Sequence, residues 1–159
     1  MSRIRSSGTK PERRLYRMVR EILGHRWRID RNVSELPGQP DVLVPTLRLT
    51  IFADGCFFHC CPTHGHIPKS NQAYWEPKLE RNVKRDQMKR RELRSLGYAV
   101  WRFWGHDLTN VSLATTHRLL EHRLGRRVRL WREGGFPSGS ATDPSYPRAT
   151  SIGMLDRDS

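Results

Sequence analysis

The residues whose types and spacing best suit chemistry lie between positions 52 and 64, where all three cysteines of the chain stand beside two histidines. Cys56, Cys61 and His64 have Cys-x4-Cys-x2-His spacing, short enough for one loop to surround a tetrahedral zinc ion. A fourth ligand must come from elsewhere, and we expect His106, which follows a predicted strand. The pattern therefore predicts a structural zinc site.

Two alternatives to this ligand set stay open. His66 could take the place of His64. Alternatively, Cys60 and Cys61 could be small buried hydrophobic residues, with His64 a surface residue. Zinc is favoured because soft thiolate and imidazole ligands converge within so few residues.

A set of acidic residues predicts a second metal site. Asp41 begins a predicted strand, Asp54 follows the second strand of the predicted hairpin, and Glu12 lies on the first helix. Asp41 follows a proline, and an aspartate there is often only a turn residue. A cluster of such acids in a chain of net charge +13 favours Mg²⁺, which prefers oxygen ligands and assists phosphodiester cleavage.

His59 is separate from the predicted zinc ligands and close in sequence to the acids. Its imidazole could accept a proton from an attacking water, and Asp86, on the apolar side of a predicted helix, could orient it. The alternative is a histidine of the zinc region with no catalytic task.

Four aromatic residues fall in predicted loops, and such residues are usually packing residues. Phe57, Phe58, Tyr74 and Trp75 surround a basic catalytic region, where they could instead wedge between base pairs of a duplex.

Composition limits the class of protein. Lys and Arg number 29 against 16 for Asp and Glu, and the pI is about 10.8, so the partner is expected to be a polyanion. No apolar run is long enough for a bilayer and no secretory signal is recognisable. Clustered cysteines fit a metal site in a reducing compartment, so we expect a cytoplasmic, nucleoid-associated protein.

Hydrophobic periodicity, prolines and glycines predict the elements that position these residues. In chain order they are a helix over Glu12–Gly24, a short extended segment over His25–Ile29, an antiparallel hairpin of Asp41–Val44 and Leu47–Phe52, a helix from Pro77 to about Ser95, a strand over Tyr98–Trp104, and a helix from Leu108 that stops at Gly125. We predict an α/β fold in one domain over 11–132, with a flexible basic arm over 1–10 and a disordered tail over 133–159.

These residues resemble the very short patch repair endonucleases, which have a restriction-endonuclease-like fold. The resemblance extends from Lys10 to Leu108. It rests on Glu12, Leu36-Pro37-Gly38-Gln39-Pro40-Asp41, Phe52-Ala53-Asp54-Gly55-Cys56-Phe57-Phe58-His59, Cys61-Pro62 with His64, Tyr74-Trp75 with Lys78, Asn82 and Arg85-Asp86, and Gly97-Tyr98.

The resemblance implies a small α/β domain, with a central mixed sheet flanked by helices and a zinc-stabilised loop. It implies a Mg²⁺-dependent endonuclease that nicks one DNA strand 5′ to the thymine of a T:G mismatch. Asp41 would be the central Mg²⁺ ligand with the backbone carbonyl of Ala53, His59 the general base, Asp86 its supporting acid and Glu12 an outer contributor.

The same resemblance implies the other sites. Structural zinc would be held by Cys56, Cys61, His64 and His106. The aromatics that intercalate beside the mismatch would be Phe57, Phe58 and Trp75, and Lys78, Asn82 and Arg85 would also contact DNA. The expected partner is double-stranded DNA carrying a T:G mismatch, and mismatch-repair proteins are expected as further partners. The enzyme itself is expected to be a monomer.

The chain departs from the family at three places. The family commonly has Trp where Phe58 stands, Gly where Cys60 stands, and Trp-Glu-Cys where Trp104-Gly105-His106 stands. The last change replaces a thiolate ligand with an imidazole, which zinc tolerates.

Two other functions stay open from the sequence. One is a restriction-like nuclease with a different DNA target, since base readout depends on loop geometry. The other is a non-catalytic, zinc-stabilised DNA-binding module whose acids are structural.

Overall fold

A computed structural model describes residues 8–136. The predicted arm lies outside the described residues up to position 7, and the predicted tail lies outside them from position 137. Among residues 8–136, none of the helices combines the length and apolarity needed to cross a bilayer.

The described chain is built on a mixed four-stranded sheet. Its strands are β1 (Asp30–Arg31), β2 (Val42–Val44), β3 (Leu49–Asp54) and β4 (Ala99–Trp104) in that order across the sheet. The first two pairings are antiparallel and β3 pairs with β4 in parallel. The predicted α/β class and hairpin are confirmed.

Three helices accompany the sheet: α1 (Lys10–Leu23), α2 (Gln72–Ser95) and α3 (Leu113–Arg132). α1 packs against α3 and β3, and α2 packs against β4. The apolar stripe predicted for α1 is buried at Leu15, Met18 and Val19, as helical spacing requires. Gly24, at φ 77°, ends α1 as predicted.

The core lies between α1, α3 and the sheet. Trp101 of β4 is its largest fully buried side chain, and its indole ring lies under the guanidinium of Arg123, 4.2 Å from the ring centroid. The remaining buried positions are mostly aliphatic residues of the strands and of the inner helix faces, including Leu15, Val19, Val42, Val44, Leu49, Ile51, Leu120 and Leu124.

The extended segment predicted over His25–Ile29 is shifted. The first strand is the two-residue pair Asp30–Arg31. Upstream of it, Arg20 donates from Nη1 to the carbonyls of Gly24 and Trp27, at 3.3 and 2.8 Å. Because a side chain satisfies these backbone groups, the segment turns instead of joining the sheet.

The predicted start of α2 at Pro77 is wrong. The helix begins at Gln72, where the amides of Tyr74 and Trp75 both bond to the carbonyl of Asn71. Pro77 lies within the helix as its sixth residue, and there it removes only the bond to the carbonyl of Ala73.

Both predicted ends of α3 are also wrong. Successive turns occupy the start, with the amides of Asp107 and Leu108 bonded to the carbonyls three residues back, and the helix begins at Leu113. It continues through Gly125 to Arg132. Arg127 donates from Nε to the carbonyl of Leu47 at 2.8 Å, so a tertiary contact sustains the helix beyond the glycine.

Candidate active site and metal centre

The parallel pairing of β3 with β4 brings distant residues to one end of the sheet. Asp54 stands opposite Trp104 in the register, and the amide of Gly105 donates to the carbonyl of Asp54 at 2.8 Å. The loop after β3 and the turn after β4 therefore start side by side. This positions His106 over the loop that carries the cysteines.

Cys56, Cys61, His64 and His106 form a compact group in which one ligand atom from each residue lies within 4.8 Å of every other. The Nδ1 of His106 is 3.2 Å from the Sγ of Cys56 and 3.6 Å from that of Cys61. Two sulfurs and two imidazole nitrogens at this spacing suit a tetrahedral ion such as zinc.

The structure also bears on His66, the alternative to His64 as a ligand in this group. His66 lies outside the group, with its Nδ1 3.4 Å from the carbonyl of His64.

Burial raises the pKa of the Cys56 thiol, and the backbone amides of His106 and Gly105 partly offset this rise. A metal bound here would therefore displace a proton from a sulfur.

Sequence reasoning missed Asp107. Its Oδ1 lies 3.3 Å from the Nε2 of His106, and its Oδ2 accepts the amide of Trp104 at 2.9 Å. A carboxylate behind a ligating histidine sets the orientation and tautomer of the ring. Its position next to His106 was the available signal.

The loop backbone shows why glycine suits position 60, where this chain has Cys60 instead. Cys60 is exposed and has φ 52°, a left-handed conformation that suits glycine better than a residue with a side chain. Gly65 is required for a different reason, because a Cβ there would lie 2.5 Å from the carbonyl oxygen of Cys61.

Asp41 is half-buried at the start of β2, and its Oδ2 accepts the amide of Ala53 at 2.7 Å. Burial, together with the negative charges of Glu12 and Asp54, raises the pKa of Asp41 to about 7 against the opposing effects of the Ala53 amide and His59. The predicted acids are therefore close enough to repel one another. A cation would relieve that repulsion.

Glu12 is buried and held at the start of α1. Its carboxylate accepts the amide of Gly8 at 2.5 Å and the hydroxyl of Thr9 at 2.8 Å. These two bonds tie the residues before α1 to its first turn, so Glu12 has a structural task as well as a place beside Asp41.

His59 and Asp86 form a hydrogen-bonded pair, with 2.5 Å between His59 Nδ1 and Asp86 Oδ2. Burial by itself lowers the pKa of His59, but the bond to Asp86 and the charges of Asp54 and Asp86 outweigh it, so the pKa is raised. Since Nδ1 faces Asp86, a neutral ring leaves Nε2 as its proton acceptor.

Asp54 has a partner that sequence reasoning missed, since Arg102 of β4 donates from Nε to its Oδ2. Asp54 Oδ1 is also 3.8 Å from His59 Nδ1. A single cation inside an otherwise apolar strand was the available signal for Arg102.

These groups face one cleft with a volume of about 580 Å³. Asp41, Ala53, Asp54, His59 and Asp86 line it together with Glu12. Its other polar and aromatic lining residues include Phe58, Asn82, Arg85, Lys89, Arg90 and Arg102. Carboxylates, a paired histidine and several cations therefore share one cavity.

The predicted aromatic residues form one cluster beside this cleft. The ring of Phe57 lies edge-on to Phe58 at 5.1 Å and to Trp75 at 5.2 Å, and Trp75 contacts Tyr74 at 5.2 Å. The ammonium of Lys78 lies 5.0 Å from the ring centroids of both Tyr74 and Trp75. The loop after β3 and the start of α2 thus present one aromatic surface with a cation.

Asn82 and Arg85 connect this surface to the cleft. Asn82 donates to the carbonyl of Phe58 at 3.4 Å, and Arg85 donates to the side-chain oxygen of Asn82 at 3.0 Å. Arg85 is exposed. The structure therefore brings two of the predicted DNA-contacting residues of α2, Asn82 and Arg85, to the rim of the cleft.

A cleft that combines clustered carboxylates with a paired histidine has the groups that metal-assisted hydrolysis uses. The family described as DNA mismatch endonuclease Vsr matches residues 1–64. The Type II nicking enzyme V.NaeI of Lentzea aerocolonigenes is 40% identical over 121 residues, which is 74% of this chain and 72% of that protein.

Two further relatives are named as a nicking enzyme and as an endonuclease. The Type II nicking enzyme V.NmeAIP of Neisseria meningitidis is 35% identical over 134 residues, covering 81% of this chain and 86% of its own. The DNA mismatch endonuclease Vsr of Escherichia coli K12 is 31% identical over 103 residues, covering 62% and 60%. The chain belongs to the Vsr family of strand-nicking DNA endonucleases, which confirms the family and the enzyme class indicated by the sequence.

Proposed function

We propose that this enzyme nicks one strand of duplex DNA 5′ to the thymine of a T:G mismatch, in a Mg²⁺-dependent reaction of very short patch repair. The observation that carries this proposal is the shared cleft, in which the acids around Asp41 face the His59–Asp86 pair. We also propose that the mixed sheet is a variant of the restriction-endonuclease-like fold, as family membership supports.

The donor set of the cleft fits a divalent cation. Asp41 has a pKa raised to about 7 by burial and by neighbouring carboxylates, so bringing a cation to these oxygens would favour its ionised form. Asp41 and the backbone carbonyl of Ala53 would hold the ion, with Glu12 as an outer contributor. When bound, Mg²⁺ would polarise the phosphate and help to generate the nucleophile.

His59 supplies the proton acceptor. Asp86 accepts a hydrogen bond from Nδ1, which leaves Nε2 of the neutral ring to take a proton from the water that attacks phosphorus. Asp86 then stabilises the imidazolium that results. The bond from phosphorus to the leaving oxygen of the strand breaks, and that oxygen takes up a proton from solvent. The Arg102–Asp54 pair holds the second carboxylate near His59 in place.

Recognition of the mismatch is assigned to the aromatic cluster. Phe57 contacts both Phe58 and Trp75 edge to face, as a preassembled wedge requires. Unstacking a base step costs a few kcal/mol, and less at a weakly stacked mismatch. Lys78, Asn82 and Arg85 would bind the duplex around the wedge.

Zinc at Cys56, Cys61, His64 and His106 would have a structural role. It would join the loop after β3 to the turn after β4, and so hold His59 over the cleft. We further propose a cytoplasmic, monomeric enzyme with mismatch-repair proteins as partners.

A different DNA target is the second candidate, favoured by relatives named Type II nicking enzymes and by the smaller wedge residue Phe58. The experiment that separates the two is a nicking assay on matched T:G, U:G and fully paired duplexes, with Mg²⁺ or with EDTA. Preferential Mg²⁺-dependent nicking of T:G supports the proposal. Equal nicking of paired duplex would show that T:G is not the target.

A further inference from the structure

Lys89 lines the catalytic cleft without a task in the chemistry described above. It lies on α2, four residues after Arg85 and three after Asp86, so it shares the side of the helix that faces the cleft. Among the residues that the structure describes, its ammonium forms neither a hydrogen bond nor an ion pair. By contrast, Arg102 binds Asp54 and Arg85 donates to Asn82.

A second groove opens from the same wall of the cleft. It has a volume of about 760 Å³ and lies between residues 34–39 and α2. Gly38, Gln39, Arg85 and Lys89 line both cavities, so the cleft and this groove meet at the two cations. The groove then runs on along α2 as far as Leu96.

Gly38 explains how the chain comes so close to α2 at this junction. It has φ 77°, and a Cβ there would lie 3.3 Å from the Cβ of Lys89 and 3.5 Å from the ring of Phe52. A side chain at position 38 would be tightly placed against the helix and strained by the positive φ. The stem of Lys89 is thus held against the loop while its ammonium stays available.

The charges of the two cavities differ. Glu35 and Glu92 line the groove but not the cleft, so the groove as a whole is not strongly basic. Arg85 and Lys89 line both cavities, and among the described residues neither forms an ion pair with a carboxylate. A phosphate at the junction would therefore meet two cations that are not already paired.

We propose that Lys89 binds a non-bridging oxygen of a backbone phosphate in the strand being cut, beside the phosphate at which the nick is made. The strand would pass from the cleft into the groove at this point. The inference rests on the proposed function, because it requires the cleft to be the site of strand cleavage. Lys89 is then a substrate-positioning residue.

The test combines a protein change with a substrate change. Lys89→Met keeps the length of the stem and removes the charge, and it should lower kcat/KM by about 10- to 100-fold, the worth of a hydrogen bond to a charged group. Lys89→Arg should retain most of the activity. Lys84→Met is the matched control, since Lys84 is exposed on the same helix and lines neither cavity.

Substrates with a single neutral methylphosphonate at each position around the nick identify the phosphate. One position should reduce nicking by the wild-type protein and have no further effect on Lys89→Met, as expected when both changes remove the same contact. Independent losses at every position, or the absence of a sensitive phosphate with the wild-type protein, would overturn the assignment.

Binding measurements separate this proposal from the proposed function. The same methylphosphonate duplexes can be titrated by fluorescence anisotropy, which needs no cleavage. An active wild-type enzyme whose kcat/KM and binding are unchanged by Lys89→Met would refute the role of Lys89 alone. Inactivity of the wild-type protein on every duplex would instead refute the proposed nuclease target. If Lys89→Met has a lowered melting temperature, the role of Lys89 is judged from the methylphosphonate series with the wild-type protein and from the activity of Lys89→Arg.

Discussion

Replacing Asp41 with Asn should abolish nicking and yet stabilise the Mg²⁺-free protein at high pH. Burial and the nearby carboxylates of Glu12 and Asp54 raise the pKa of Asp41 from 3.8 to about 7, so the folded protein binds this proton more tightly than the unfolded chain. That contribution to stability is complete below pH 3.8 and is lost as the pH rises through the folded-state value near 7.

The magnitude follows from the same values. At about 1.36 kcal/mol for each pH unit, ionising Asp41 costs at most about 4 kcal/mol. About 2 to 3 kcal/mol of this cost develops between pH 5 and pH 8. Asn cannot ionise but keeps an oxygen for the amide of Ala53. The stability of Asp41→Asn relative to wild type should therefore increase by about 2 to 3 kcal/mol from pH 5 to pH 8.

Urea unfolding in Mg²⁺-free buffer at the two pH values measures this difference. Asp30→Asn is the control, because Asp30 pairs with exposed Arg28 outside the cleft, and its effect should stay within about 1 kcal/mol at both pH values. Saturating Mg²⁺, at about 100 times its Kd, should stabilise wild type by about 2.7 kcal/mol and leave Asp41→Asn unchanged. A difference between variant and wild type that does not change with pH would refute the reasoning, as would equal stabilisation of both by Mg²⁺.

Four further predictions follow from the site. His59→Ala should reduce the nicking rate by about 10²- to 10⁴-fold, and a loss below about threefold would assign His59 to structure. Metal analysis should find one zinc per chain that resists EDTA better than Mg²⁺ does, and Cys56→Ser should lower the melting temperature; zinc-free protein with an unaffected Cys56→Ser variant would contradict this. Trp75→Ala should narrow the preference for T:G over paired duplex while leaving the salt dependence of non-specific binding unchanged; equal loss on both duplexes would show a structural role. Cys60→Gly should raise stability by about 0.5 to 1 kcal/mol, since it relieves a left-handed φ at an exposed position; an unfolding free energy equal to or below wild type would disprove that strain.

The local sequence pattern was sufficient to predict an element wherever the interactions that determine it are close in sequence. Helical spacing identified the buried face of α1, and alternating β-rich runs identified the hairpin of β2 and β3. The spacing of Cys56, Cys61 and His64 specified three members of the Cys/His group because one short loop contains them all.

Pro77 did not predict the start of α2, and Gly125 did not predict the C-terminal end of α3. A proline near a helix start removes a single hydrogen bond, and a glycine inside a helix costs only about 1 kcal/mol. Interactions from elsewhere outweigh costs of this size, such as the bond from Arg127 to Leu47.

The sequence by itself determined the residue types of this enzyme: the proposed thiolate and imidazole ligands, the acids, the proposed base and the basic charge that suits DNA. Only the tertiary structure decided which of them meet. The parallel register of β3 and β4 sets His106 beside Cys56, and the packing of α2 sets Asp86 against His59 across 27 positions of sequence. Arg102 and Asp107 were found only in this way, because strand pairing and turn geometry position them and neither leaves a periodic signal in the chain.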